Sequence, residues 1–127
     1  MADKTVLVVD DEKVCGLGFK RELEAHGFAV DCVLSGEEAL EKAGQVKYDL
    51  AFIDYYLPGM NGVETCKALK KVSPRTIMIF FTGTVGHGVL DKEDEFVKAG
   101  GRVAWLYKPF MDGELLKVAQ EALSGKV

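Results

Sequence analysis

Five short stretches of the chain are dense in apolar and β-branched residues: KTVLVV (Lys4 to Val9), FAVDCVL (Phe28 to Leu34), YDLAFID (Tyr48 to Asp54), TIMIFF (Thr76 to Phe81) and VAWLY (Val103 to Tyr107). Each predicts a strand, and a run such as Val6 to Val9, apolar on both sides of its pleat, suits a central parallel strand. Between these stretches the spacing turns helical. Lys13 to His26 places Val14, Leu17, Phe19 and Leu23 at roughly helical intervals, with Gly27 as a left-handed stop and His26 as a favourable charge in the last turn. Ser35 and Glu38 form a capping box for a helix through Ala43, closed by Gly44. Asn61-Gly62 leads into VETCKALKKV (Val63 to Val72), with Val63, Cys66 and Leu69 inward and lysines outward, and Pro74 ends the connection. Asp112 is the expected cap of a last helix from Gly113 to Leu123. The weakest signal lies between Gly83 and Gly101, where DKEDEFVKAG (Asp91 to Gly100) is compatible with a helix.

Strands alternating with helices in this way predict a parallel α/β sheet covered on both faces, because right-handed crossovers place helices on each side. At 127 residues the chain is expected to be one domain. The net charge of -4, with no basic stripe, argues against nucleic acid as a direct partner. With neither a leader pattern at the N-terminus nor an apolar run of membrane-spanning length, a cytoplasmic protein is expected. Cys15, Cys32 and Cys66 have neither zinc-site spacing nor an even count, so buried free thiols are expected.

Candidate chemistry follows from where the strands stop. In an open parallel sheet the carboxyl ends of all strands share one edge, so Asp10 and Asp11, Asp54, Thr82 and Lys108 converge from distant positions. Close carboxylates repel by roughly 3 to 4 kcal/mol per pair at an effective dielectric near 20. A cation relieves this, and all-oxygen ligands with room for water suit Mg²⁺ together with phosphate oxygens. Asp54 is the candidate nucleophile for phosphoryl transfer, Lys108 would neutralise phosphoryl oxygens, and Thr82 would hydrogen-bond one of them.

The motifs VVDDE (Val8 to Glu12), DYYLPGMNG (Asp54 to Gly62), Thr82 followed by Gly83, and YKPF (Tyr107 to Phe110) together make the chain resemble a response-regulator receiver domain over essentially its whole length. The resemblance implies a flavodoxin-like five-stranded parallel sheet in the order 2-1-3-4-5, in a single stand-alone, chemotaxis-type receiver without an output domain. It implies Mg²⁺ held by Asp10, Asp11, Asp54 and the backbone carbonyl of Tyr56. It also implies phosphorylation of Asp54 by a histidine kinase and a cis bond from Lys108 to Pro109 that aims Lys108 into the site. The phosphorylated domain would bind a downstream target protein, or pass the group to a phosphotransfer protein, and slowly lose it to water; it would be a switch and not a turnover enzyme. In the family an aromatic three residues before the lysine turns inward on activation. By that count it is Trp105, the only tryptophan, against the alternative of a half-exposed strand residue that never moves. The span from Thr82 to Lys108 is about four residues longer than the common pattern. Within it His87 is expected to be solvated, while Tyr56 and Thr84 are expected to flank the path of water.

Three rivals share parts of this pattern. A flavodoxin-like electron carrier would cradle a flavin phosphate in the first strand-to-helix loop, where Asp10, Asp11 and Glu12 would repel it. A hydrolase working through an aspartyl phosphate would carry its nucleophile at the end of strand one, with larger insertions to enclose a substrate. A receiver-like interaction module that is never phosphorylated would have no need of the acidic set.

Overall fold

The structure is a computed structural model that describes residues 4–55, 57–81, 93–104, 106 and 110–125. Strands and helices alternate along it: β1 (Thr5–Val9), α1 (Lys13–Glu24), β2 (Ala29–Val33), α2 (Gly36–Ala43), β3 (Leu50–Asp54), α3 (Gly62–Val72), β4 (Ile77–Phe81), α4 (Glu93–Lys98), β5 (Arg102–Val103) and α5 (Glu114–Leu123). All strand pairings are parallel, and the sheet order is β2-β1-β3-β4-β5. Strand β5 begins one residue before the stretch predicted from Val103 to Tyr107, and among the described residues it comprises Arg102–Val103, opposite Ile79 and Phe80; Trp105 and Tyr107 lie outside the described residues.

Alternate residues of each central strand feed two separate cores, as the period of two in a pleated strand requires. Leu7, Val9, Ala51, Ile53, Met78 and Phe80 face α2, α3 and α4 through Ala39, Val63, Cys66, Leu69 and Phe96. Val6, Val8, Leu50, Phe52, Ile79 and Phe81 face α1 and α5 through Phe19, Leu23, Leu115, Ala119 and Ala122. Helices therefore cover both faces, and the central strands are buried along nearly their whole length.

Helix α1 departs from its sequence expectation. Val14 and Leu17 are 82% and 64% exposed, and the buried stripe is Cys15, Gly16, Phe19 and Leu23. The reason lies at Gly16, where a β-carbon would come within 3.2 Å of both Cβ and Sγ of Cys32. The bare backbone lets α1 lie close on β2, and the Cys32 thiol donates to the Gly16 carbonyl at 3.2 Å. The helix also ends at Glu24, so His26 follows its last turn. Cys32 is exposed while Cys15 and Cys66 are buried; all three thiols are free, and the expectation of burial fails at Cys32 because it lies on an edge strand, where α1 covers it only in part.

The helix starts are set by side chains. Ser35 accepts from the Glu38 N–H, while the Glu38 carboxylate reaches one residue further back than expected, to the N–H of Leu34. Asn61 and Glu64 form a full reciprocal capping box on α3. At α5, Asp112 is not the cap. The N-cap is Gly113, at φ 88°, and the N–H groups of Gly113 and Leu116 instead donate to the Glu22 carboxylate of α1, at 3.2 and 2.8 Å.

Candidate functional site at the carboxyl edge of the sheet

Strand register brings the first two candidate residues together. Val9 pairs with Ile53, so the next positions on these adjacent parallel strands are Asp10 and Asp54. The Asp10 N–H donates to the Val33 carbonyl at 3.1 Å, which keeps the chain in line past the end of β1. Its carboxylate Oδ1 accepts from the Glu12 N–H at 3.0 Å, turning the chain into α1. Asp10 and Asp54 are both buried, at 2% and 4% exposure, whereas Asp11 is exposed. One carboxylate oxygen from each of Asp10, Asp11 and Asp54 lies within 4.8 Å of the other two. Of the five strand-end residues expected to converge, these three carboxylates are the ones among the described residues.

The loop after Asp54 is held tightly. The Gly62 N–H donates to the Tyr55 carbonyl at 2.9 Å, which ties the start of α3 back to the end of β3. Gly59 occupies the left-handed region at φ 71°, as a turn after Pro58 requires. Leu57 is anchored in the core shared with α3, and the half-buried Tyr55 ring meets Phe96 of α4 edge-on at 5.6 Å. Phe96 in turn stacks on Phe80 of β4, with ring centroids 3.7 Å apart.

On the other side, Phe110 of the YKPF motif packs edge-on against Phe19 of α1 at 5.2 Å and against Phe81 of β4 at 5.9 Å. Phe81 is the register partner of Asp54. Tyr56, Thr82, Thr84, His87, Trp105, Lys108 and the Lys108–Pro109 bond lie outside the described residues. Two roles at this end of the sheet go beyond the sequence analysis: Gly62, read there as a turn before α3, admits a close backbone approach to Asp54, and Glu22 caps a helix from far along the chain. The Asn61 to Glu64 spacing was the available signal for the loop's exit.

The donor set is all oxygen, with two carboxylates buried and one exposed. It fits a small hard dication that keeps some of its waters, and it does not suit a soft metal, which prefers sulfur or imidazole.

Fold and site together define a doubly wound α/β protein with a cluster of carboxylates at the carboxyl edge of its sheet. The chain belongs to the response regulator receiver domain family, whose pattern it matches over residues 6–120. It is 34% identical over 113 residues to the phosphate regulon transcriptional regulatory protein PhoB of Rhizobium meliloti, covering 87% of this chain and 48% of that protein. The chain thus spans about half the length of the curated relatives it matches. Among solved structures it is similar to a CheY-like receiver domain protein from Methanospirillum hungatei, with a TM-score of 0.86 and 28% identity over 98% of this chain and 97% of that one. It is also similar to a response regulator from Burkholderia pseudomallei solved with a phosphorylated aspartic acid and a calcium ion; there the TM-score is 0.80 at 28% identity, covering 97% and 70% of the two chains. Receiver domains are signalling modules of two-component systems, which separates this chain from the electron carrier and the hydrolase considered above. No helix among the described residues is long and apolar enough to cross a membrane.

Proposed function

We propose that the chain works as a single receiver unit that accepts a phosphoryl group on Asp54 from a histidine kinase and signals by the shape change that follows. An Asp54 carboxylate oxygen attacks the phosphorus, the bond from phosphorus to the donor imidazole nitrogen breaks, and its electron pair stays on that nitrogen. Asp10, Asp11, Asp54 and the backbone carbonyl of Tyr56 would hold Mg²⁺, which when bound offsets the negative charge gathered at this edge. Asp10 and Asp11 keep the site acidic, the Lys108 ammonium meets the incoming phosphoryl oxygens, and the Thr82 hydroxyl donates to one of them. The group is later lost to water, so the domain takes part in one event at a time and does not turn over a substrate. The output passes to a partner protein, either a target or a phosphotransfer protein. Any part in transcriptional control, as the names of longer relatives state for those proteins, would come through such a partner or a further domain.

The observation that carries this proposal is the three-carboxylate cluster, in which Asp10 and Asp54 are buried. The Burkholderia relative, whose structure contains a phosphorylated aspartic acid, supports it by analogy. The test is intact mass after incubation with Mg²⁺ and a small-molecule phosphodonor. The wild type should gain one phosphoryl group, and Asp54→Asn none. Labelling that persists in Asp54→Asn would overturn the assignment.

A further inference from the structure

The edge of the sheet opposite the carboxylate cluster carries a groove of its own. It lies between the segments that lead into β3 and β4, has a volume of about 600 Å³, and is walled by Val46, Lys47 and Asp49 on one side and by Val72, Pro74 and Arg75 on the other. Val72, the last residue of α3, is 49% exposed, so a large apolar side chain stands open to water at the groove. Lys47 and Arg75 are exposed as well, and neither forms an ion pair among the described residues. Asp49, the acidic residue of the wall, is already engaged: its Oδ2 accepts the Thr5 N–H at 2.9 Å. The backbone here is occupied too. The N–H groups of Gly44, Gln45 and Val46 donate to Leu40 and Lys42, and those of Ser73 and Thr76 donate to Leu69 and Ser73. The Tyr48 carbonyl accepts from the Thr76 hydroxyl, and the Thr76 carbonyl from the Lys70 ammonium. Part of the negative charge at the ends of α2 and α3 is thereby met within the fold, and these N–H groups form no open nest for a phosphate. What the groove offers a partner is two cations beside an apolar wall.

We propose that this groove docks a short acidic segment of a partner protein, with carboxylates on Lys47 and Arg75 and an apolar side chain against Val72 and Pro74. The planar fork of Arg75 suits a carboxylate, which it can take through two parallel hydrogen bonds. The chain's net charge of -4 sharpens the choice, because an acidic segment is repelled by the protein in general and attracted here. A nucleic acid would call for a longer run of cations. Asp49 precedes β3 and Asp54 closes it, so a segment held in the groove leaves the carboxylate cluster at the other end of the strand open.

The test is an amide NMR titration of the full chain with two synthetic peptides, acetyl-EEVLDE-amide and acetyl-KKVLKK-amide, and with single-stranded oligothymidylate. The acidic peptide should shift the amides of Val46 to Asp49 and of Val72, Ser73 and Arg75 at concentrations up to about 5 mM, the weak range that so small a contact supports. Reversing both cations in Lys47→Glu/Arg75→Glu should weaken binding at least about tenfold. Lys47→Ala/Arg75→Ala gives the same reading if the reversed variant fails to fold. Val72→Ser should weaken it several-fold, and so should raising the salt from about 0.05 to about 0.5 M. Added Mg²⁺ should leave the affinity for the acidic peptide unchanged. Amides at these residues that do not move, shifts of equal size with the basic peptide or the oligothymidylate, or binding undiminished in the double variants would overturn the proposal.

Discussion

Gly62 and Asp54 are in backbone contact: a β-carbon on Gly62 would lie 2.6 Å from the Asp54 carbonyl oxygen and 2.8 Å from the Tyr55 α-carbon. Both neighbours are main chain, so neither can swing aside. Gly62→Ala should therefore destabilise the fold by about 1–3 kcal/mol, as overpacking does. Because the strain falls on the residue that bears the candidate nucleophile, the variant should also bind Mg²⁺ more weakly and label more slowly. Chemical denaturation with parallel Mg²⁺ titration checks both; a variant as stable as wild type would show that the loop relaxes freely.

The acidic cluster should make the metal-free protein less stable than its sequence allows. Asp10 and Asp54 are buried side by side, and relieving one such repulsion is worth roughly 3 kcal/mol before solvent screening. Asp10→Asn keeps the acceptor for the Glu12 N–H and removes the charge. Its melting temperature in chelator should exceed that of wild type, and its response to added Mg²⁺ should vanish. Wild type should gain about 2.7 kcal/mol at a hundredfold excess of Mg²⁺ over its dissociation constant. Thermal melts with and without Mg²⁺ separate these outcomes.

Burial pushes the Cys66 thiol up from 9.0 to about 11, against a smaller opposing pull from Lys70. The folded state holds this proton more tightly than the unfolded chain does. The resulting stabilisation is fully present below about pH 9 and is lost as pH rises through about 11. The loss should be on the order of 2–3 kcal/mol, and Cys66→Ala should abolish that part of the alkaline decline. The buried Tyr48 phenol, raised by desolvation and then by its 2.7 Å hydrogen bond to Asp31, extends the decline to higher pH. Urea midpoints between pH 8 and 11 provide the measurement.

Phe96 joins α4 to the rest of the protein through its stack on Phe80 and its edge contact with Tyr55. Phe96→Ala should cost about 3–5 kcal/mol, and Phe96→Leu much less. Near-ultraviolet circular dichroism should change with either, since the Tyr55 ring loses its aromatic neighbour. An alanine variant of native stability would mean that α4 contributes little to the fold.

How much of this was legible beforehand depends on how local each cause is. The central strands were, because burial on both faces makes them contiguous apolar runs, and Asp10 and Asp54 followed from where those runs stop. The inward face of α1 was not. Its apolar Val14 and Leu17 fit a helical stripe as well as Cys15 and Phe19 do, and only the close fit of Gly16 over Cys32 selects the rotation. The α5 cap was misassigned to Asp112, since a residue 91 positions away is invisible to any short motif. The entry into β5 is equally non-local: at Gly101 a β-carbon would run into the Phe80 ring of β4, so the chain passes there with no side chain at all.

Because neighbouring positions on β1, β3 and β4 send their side chains into opposite compartments, the sheet acts as a partition wall between two independently packed rooms. A volume change at Ile53 is felt on the side of α3, while the same change at Phe52 is felt by α1. Losses from one change on each side, at positions more than about 10 Å apart, should simply sum. Sequence drift can then remodel the helices on one side without disturbing what the other side holds in place.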